Sequence, residues 1–170
     1  MKKIFILLTT VAALFWGYGK IDNPNNPPQQ SYDLQGKVTR VADGDTFTIT
    51  SNGQRYRIRM YGIDAPESSQ KYGKESTKYL SNLILNKQVG IKIMDKDRYD
   101  RIIGKVFYNN QDINERMLES GHAWFYEYYA KNETGYKNAY EDARKNKKAL
   151  WKDANPENPR DYRLKARKSN

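Results

Sequence analysis

The 170-residue chain predicts an α+β domain, a small closed barrel of five strands with three helices. Three observations carry that expectation. Period-two apolar alternation opens the domain, helical spacing interrupts it once between the third and fourth strands, and two helical stretches follow the fifth strand. Five strands are too few for a two-sheet sandwich and enough to close a barrel. The length is that of one ordinary domain.

Residues 34–61 read as three antiparallel strands. Val38 and Val41 mark the first and Thr46-Phe47-Thr48-Ile49-Thr50 the second; in the third, Tyr56, Ile58 and Met60 alternate with Arg55, Arg57 and Arg59. Asp43-Gly44-Asp45 turns the first strand into the second. Ser51-Asn52-Gly53-Gln54 turns the second into the third, because Asn-Gly accepts the positive φ of a tight hairpin. Residues 74–86 then take helical spacing, with Ser76, Tyr79, Leu80, Leu83 and Ile84 on one stripe. In the fourth strand Val89, Ile91 and Ile93 alternate with Gly90, Lys92 and Met94. The fifth, residues 102–108, is apolar except at Gly104 and Lys105. Asp112 with Glu115 three residues later reads as a capping box, and Gly121 as the C-terminal cap of that second helix. A third helix over about residues 133–147 spaces Tyr136, Ala139, Tyr140 and Ala143 along one face. This order of elements is the plan of the OB-fold Greek-key barrel. Many such barrels bind oligonucleotides, but a fold alone does not give a function.

The N-terminus follows a different pattern. Lys2 and Lys3 precede an apolar run over residues 4–16, then Gly17 and Gly19, which is the order of an export signal; thirteen apolar residues are short for a membrane span. Residues 1–19 are expected to be either a signal peptide, giving a secreted or periplasmic protein, or an uncleaved anchor attached to a membrane through residues 4–16. Residues 20–33, with three prolines and a run of Asn and Gln, read as a flexible polar linker. The folded domain is expected over 34–152, and residues 153–170 form a basic tail. No oligomer signal is visible in the sequence, and a monomer is the expectation.

Composition limits the chemistry. With no cysteine the chain has no disulfide, thiolate nucleophile or Cys-ligated metal, and a single histidine excludes His-rich zinc sites. Catalytic groups must come from carboxylates, Arg, Lys, Tyr or hydroxyls, with a hard oxygen-liganded cation as the natural helper. Hydrophobic residues are only 38% of the chain, but 14 Tyr, 5 Phe and 3 Trp can fill a compact core. The net charge is +10, and residues 131–170 hold 12 Lys and Arg against 6 Asp and Glu. Such a surplus suits a polyanion such as nucleic acid. A solvated helix and a frayed tail would account for the charge equally well.

The acids that stand out lie in turns. Asp43 and Asp45 flank Gly44, while Asp64 and Glu67 follow the third strand in Tyr61-Gly62-Ile63-Asp64-Ala65-Pro66-Glu67. The two turns lie either at the same rim of the meander or at opposite rims, and turn chemistry alone already favours Asp and Gly there. Arg59 precedes Asp64 by five residues, and Arg101 closes Asp97-Arg98-Tyr99-Asp100-Arg101. A guanidinium matches phosphate oxygens and keeps its charge. Taken singly, Arg59 is equally one member of a solvated row with Arg55 and Arg57.

In combination, Val41-Ala42-Asp43-Gly44-Asp45-Thr46, the stretch Arg59-Met60-Tyr61-Gly62-Ile63-Asp64-Ala65-Pro66-Glu67, and Asp97-Arg98-Tyr99-Asp100-Arg101 resemble, in order and spacing, the three motifs of the thermonuclease, or staphylococcal-nuclease-like, family. The resemblance runs from about Gly36 through Gly121-His122-Ala123-Trp124 to Ala149-Leu150-Trp151. It implies a five-stranded OB barrel with three helices. It also implies a Ca2+-dependent phosphodiesterase that cuts DNA and RNA with little base specificity and leaves 3′-phosphate ends. Residue by residue, it makes Asp45 and Asp64 the metal carboxylates and the Ala65 carbonyl a further ligand. Glu67 takes the place of the general base, removing a proton from water or only orienting that water. Arg59 and Arg101 take the places of the phosphate-binding arginines, Tyr99 packs near the nucleotide, and Asp43 shapes the turn. The choice of calcium comes from the resemblance, since oxygen ligands suit calcium and magnesium equally on charge.

Two departures accompany it. Asp100 stands where many relatives have Gly, adding a negative charge near the phosphate site, and the closing segment from Pro156 to Arg163 has Tyr162 where Trp is common. His122 reads as a packed or surface histidine, and Trp124 to Tyr129 as core and helix docking. The alternative reading is an OB-fold module that binds nucleic acid without cutting it, against which the presence of Arg59, Asp45, Asp64, Glu67 and Arg101 together argues. A cationic protein adhering to anionic envelopes would leave the carboxylate turns unexplained.

Overall fold

A computed structural model describes residues 31–168. The expected signal or anchor segment and all but the end of the linker lie outside the described residues. Among the described residues no helix is long and apolar enough to cross a membrane.

Five strands form the barrel: β1 (Leu34–Val41), β2 (Thr46–Ser51), β3 (Gln54–Met60), β4 (Gln88–Lys96) and β5 (Ile102–Tyr108). They pair antiparallel in the order β3-β2-β1-β4-β5, and a parallel pairing of β3 with β5 closes the ring. The Asn-Gly hairpin between β2 and β3 forms as expected, with Asn52 and Gly53 both at positive φ and Ser51 opposite Gln54. Alternation sends Val38, Phe47, Ile49 and Ile58 inward with no exposed surface, together with Met60, Val89, Ile91 and Val106. A bulge in β1 between Val38 and Arg40 lets Val38 face Ile49 inside while Arg40 faces Thr48 outside. A second irregularity between Ile93 and Asp95 ends the inward alternation of β4, leaving Ile93 and Met94 exposed.

The helix α1 (Gly73–Ile84) lies between β3 and β4 as expected and buries Ser76, Leu80 and Ile84. The helix α2 (Ile113–Glu119) is capped by Asp112, whose carboxylate accepts from the Glu115 N–H; Gly121 turns the chain beyond it at positive φ. Among the described residues there are five α-helices rather than three. The aromatic stretch holds a single turn, α3 (Glu127–Ala130), too short to show a helical period. The expected third helix is α4 (Thr134–Lys145), docked on α2 through the Tyr136 hydroxyl, which donates to Asp112 (2.8 Å).

The fifth helix, α5 (Pro159–Lys168), replaces the expected tail. Asn158 accepts from the Arg160 N–H (2.9 Å) and Pro159 follows it, a start signal that the basic composition of the segment conceals. The segment docks on the turn after β3. The Tyr162 and Ser69 hydroxyls bond (2.9 Å), Gln70 donates to the Glu157 carbonyl (2.7 Å), and Lys71 pairs with Asp153 (2.6 Å).

Candidate active site

Both acidic turns lie at the same rim, which the sequence left open. The Met60 N–H donates to the Asp45 carbonyl (2.8 Å), and the Ala65 N–H donates to Asp45 Oδ2 (2.7 Å), so the turn after β3 is bonded to the turn before β2. Gly44 permits this approach. A Cβ there would lie 1.9 Å from Ser76 Oγ and 2.6 Å from the Ala65 Cβ, so only glycine lets the first turn pass between α1 and the second turn. Asp43 shapes the turn as expected, accepting from the Asp45 N–H (3.0 Å).

Arg59 joins the two acids. Its Nη1 lies 2.7 Å from Asp45 Oδ2 and its Nη2 3.0 Å from Asp64 Oδ1. Asp45 Oδ1 accepts from the Thr46 hydroxyl (3.1 Å). Both aspartates are nearly closed to water. Burial pushes the Asp45 pKa up to about 6, against the pull of Arg59 and the Ala65 N–H. Asp64 is also raised by burial, with Arg163 and Arg59 opposing. Two buried carboxylates that retain this tension beside one arginine call for more positive charge.

Glu67 joins this group through a residue the sequence had placed only in its tail. Arg163 of α5 forks onto Asp64 (Nη1 to Oδ1 3.1 Å, Nη2 to Oδ2 2.9 Å), and its Nη1 also donates to Glu67 Oε1 (2.7 Å). Glu67 itself is set by the turn that follows it. Its N–H donates to Gln70 Oε1 (3.2 Å), its carbonyl accepts from the Gln70 N–H (2.8 Å), and a Cβ at Gly73 would strike that carbonyl at 1.8 Å. A cleft of about 250 Å³ opens beside Asp64, between Trp124, Phe125 and Tyr126 on one side and Asn158, Arg160 and Asp161 on the other.

Arg101 bonds to none of the three acids. Asp97 holds it, accepting from its N–H (3.0 Å) and from its Nε (2.7 Å); these bonds lower the Asp97 pKa although burial works against them. Register relates it to the site all the same. Ile58 pairs with Ile102 and Arg59 with Ile103, so Arg101 extends β5 alongside Arg57, on the outward face of the barrel that carries Arg59. Tyr99, more than half exposed, stands between the guanidiniums of Arg98 (4.9 Å) and Arg101 (5.8 Å). Asp100 has φ +65°, the left-handed conformation that glycine adopts most easily, and its carboxylate turns out to Lys96 (2.5 Å). His122 is packed, its ring stacked 4.1 Å from Tyr79. Trp124 and Phe125 dock against Tyr140 as expected, whereas Tyr128 and Tyr129 project outward from the single turn of α3 and are 81% and 61% exposed.

The donor set fits a hard divalent cation. A carboxylate oxygen has two acceptor sites. The bonds above leave one on Asp45 Oδ1 and one on Asp64 Oδ2, both buried and anionic, next to the Ala65 backbone. Among the described residues no three acidic or histidine side chains group closely enough to hold a metal by themselves, so backbone oxygen and water must complete the shell.

The outward face of β1–β3 continues from this site. Across the sheet Lys37 faces Thr50 and Thr50 faces Arg55; Arg40 faces Thr48 and Thr48 faces Arg57; Thr46 faces Arg59. Lys37, Arg40, Arg55 and Arg57 are exposed, and none pairs with an acid among the described residues.

Comparison with known proteins agrees with this geometry. A family model described as staphylococcal nuclease homologue matches residues 57–153. The chain is 38% identical over 128 residues to an uncharacterized endonuclease of Escherichia coli, a match covering 75% of this chain and 83% of that protein. It is 39% identical over 128 residues to an uncharacterized endonuclease of Haemophilus influenzae, covering 75% and 71%. It is 36% identical over 141 residues to a micrococcal nuclease of Shigella flexneri, covering 77% and 81%. With the closed barrel, the two acidic turns at one rim and a family match over more than half its length, the chain belongs to the staphylococcal nuclease family.

Proposed function

We propose that the protein is an exported, calcium-dependent endonuclease that hydrolyses phosphodiester bonds of DNA and RNA with little sequence preference and leaves 3′-phosphate ends. The observation that carries this reading is Arg59 bridging the buried carboxylates of Asp45 and Asp64, with Glu67 held to Asp64 through a second arginine. The names of the relatives support the nuclease chemistry. The charged, apolar and small-residue order of residues 1–19 supports export.

A phosphodiester resists attack mainly because its anionic oxygens repel a nucleophile. Asp45, Asp64 and the Ala65 carbonyl would hold the cation, which supplies Lewis acidity to a phosphate oxygen. Arg59, already at the rim between the two acids, donates to the phosphate and favours its more highly charged transition state. Arg101 reaches the substrate from the neighbouring edge of the same outward face, with Tyr99 beside it. Glu67 orients the attacking water and accepts its proton, a role worth about 10²–10⁴-fold. The cationic face of Lys37, Arg40, Arg55 and Arg57 attracts phosphates without reading bases.

Purified protein incubated with denatured DNA in calcium, in excess chelator, and as the Glu67→Gln variant tests this reading. Calcium-dependent cutting that falls at least about a hundredfold in the variant is expected. Products that resist polymerase extension until treated with phosphatase would establish the 3′-phosphate ends. Tight binding without cutting in any divalent ion would overturn the enzyme reading and leave an OB-fold binding module.

A further inference from the structure

We infer that Arg163 is a positioning residue of the active site, clamping the Glu67 carboxylate against Asp64, and that the C-terminal helix is thereby part of the catalytic apparatus. The catalytic consequence rests on the nuclease reading above; the clamp itself stands on geometry.

One guanidinium spans both acids. It forks onto the two oxygens of Asp64 (3.1 and 2.9 Å) and reaches Glu67 Oε1 (2.7 Å) with the same Nη1 that serves Asp64. Glu67 needs such a partner. It sits on a turn beyond the barrel with its side chain 36% exposed, and a carboxylate that must meet one water in one orientation loses effectiveness if it samples several rotamers. The clamp takes Oε1 and leaves Oε2 free of protein partners among the described residues, available to the water. Burial disfavours the Arg163 charge, but the bonds to Asp64 and Glu67 more than restore it.

Formal charge points the same way. Asp45, Asp64 and Glu67 bring three negative charges, which Arg59 alone cannot balance. With Arg163 added, the cation-free site is left with one net negative charge, and a bound dication makes it net positive, the sign that an anionic phosphodiester requires. The docking of α5 is specific to this task. The Tyr162 hydroxyl of α5 bonds to Ser69 and the Glu157 carbonyl just ahead of the helix accepts from Gln70, both in the turn that begins at Glu67, and Pro159 at the helix start is buried. The turn that presents Glu67 therefore also receives the helix that holds Glu67 in place. Lysine is a poor substitute, because a compact ammonium has no planar fork to pair with both oxygens of Asp64 while it also holds Glu67.

The opposite role, a latch that blocks Asp64 until α5 leaves, makes opposite predictions. The test uses the full chain as wild type, Arg163→Ala, Arg163→Lys, Glu67→Gln, and the Arg163→Ala/Glu67→Gln double variant. Urea midpoints are measured first, in chelator and without substrate. The clamp predicts that the double variant loses less than the sum of the two single losses; additive losses overturn it. Turnover on denatured DNA in saturating calcium follows. Arg163→Ala is expected to lower kcat about 10–100-fold with KM changed less than about threefold, to add less than about twofold on top of Glu67→Gln, and to be rescued little by Arg163→Lys. A variant as fast as wild type or faster overturns the inference in favour of the latch, and a full-sized loss on top of Glu67→Gln overturns it in favour of an independent role. A wild-type protein that cuts nothing removes the nuclease reading, and the urea cycle then decides the clamp by itself.

Discussion

Asp45 carries its charge in a place nearly closed to water, and burial raises its pKa from 3.8 to about 6 in the fold. The sign of the consequence follows from linkage. Below about pH 4 the group is protonated in folded and unfolded chains alike, and the folded state loses nothing. As pH rises through 6 the unfolded chain has already released its proton while the fold must bury the anion, so stability is lost over the window from about 4 to 6. Asp64, raised in the same direction by burial, adds to the loss. A shift of this size corresponds to a cost on the order of 3 kcal/mol at neutral pH in the cation-free protein. Asp45→Asn is accordingly expected to be more stable than wild type at pH 7 in chelator, no more stable at pH 4, and unable to cut DNA. Urea denaturation of both proteins at the two pH values checks this, and the difference between their curves isolates Asp45 from the other carboxylates. A less stable variant at pH 7 would contradict the argument. Cation affinity should run the other way with pH. Because a ligand must be deprotonated, the calcium affinity of the wild type is expected to weaken by about tenfold per unit below pH 6. Calorimetric titration without substrate measures that slope independently of turnover.

At the level of elements, the site depends on how closely the first acidic turn passes under α1. A methyl group at Gly44 would meet the Ser76 hydroxyl, which itself holds the His122 carbonyl (2.7 Å), and the Ala65 side chain. Gly44→Ala is therefore expected to cost about 1–3 kcal/mol or more. It should also lower cation affinity, because Asp45 and Ala65 move with the turn; Ser76→Gly in the same chain should recover part of both losses. Urea midpoints and calcium titrations of the single and double variants test this. The same comparison of elements explains what the sequence could reveal. The five strands, α1 and α2 were legible because period-two alternation, an Asn-Gly turn and an Asp cap each have a local physical cause. The common rim of the two acidic turns was not, since it depends on the Ala65 N–H reaching Asp45 twenty residues away, a bond that only barrel closure creates. Single residues in the motifs were legible as types, Arg59 beside Asp64 above all. Arg101 was legible too, but its bonding to Asp97 rather than to the acids was not. In α5 the Asn158-Pro159 start was present and was outweighed by charge composition. Arg163 is 96 residues from Glu67 and 99 from Asp64, a distance over which local pattern carries no information.

For the whole molecule, the net charge of +10 matters less than where unpaired cations stand. Four of the twelve Lys and Arg in residues 131–170 are engaged with acids, Lys148 with Asp142, Lys165 with Glu157, Lys137 with Glu127, and Arg163 with the active site, and most of the others are spread over α4, the turn after it and α5. The outward face of β1–β3 differs. Arg55, Arg57 and Arg59 follow one another on alternate residues of β3, about 6.6 Å apart at the rise of a strand. Arg40 and Lys37 flank them two strands away, across the hydroxyls of Thr48 and Thr50. Because Arg59 belongs to the carboxylate site, this track leads away from the position of the bond to be cut, and a strand held there contributes phosphates to the exposed cations. Each such contact releases counterions, so the binding constant for single-stranded DNA should fall with salt by about 0.7 in logarithmic slope per phosphate neutralised. Replacing Arg55 and Arg57 together with alanine is then expected to reduce that slope by about 1.4, to weaken binding equally for oligonucleotides of different sequence, and to leave the cleavage of a dinucleotide unchanged, because a dinucleotide is too short to reach the track. Fluorescence anisotropy in chelator, where nothing is cut, gives the slope for wild type and variant. An unchanged slope would mean that the strand leaves the site by another face, with Tyr128 and Tyr129 the next exposed surface to examine.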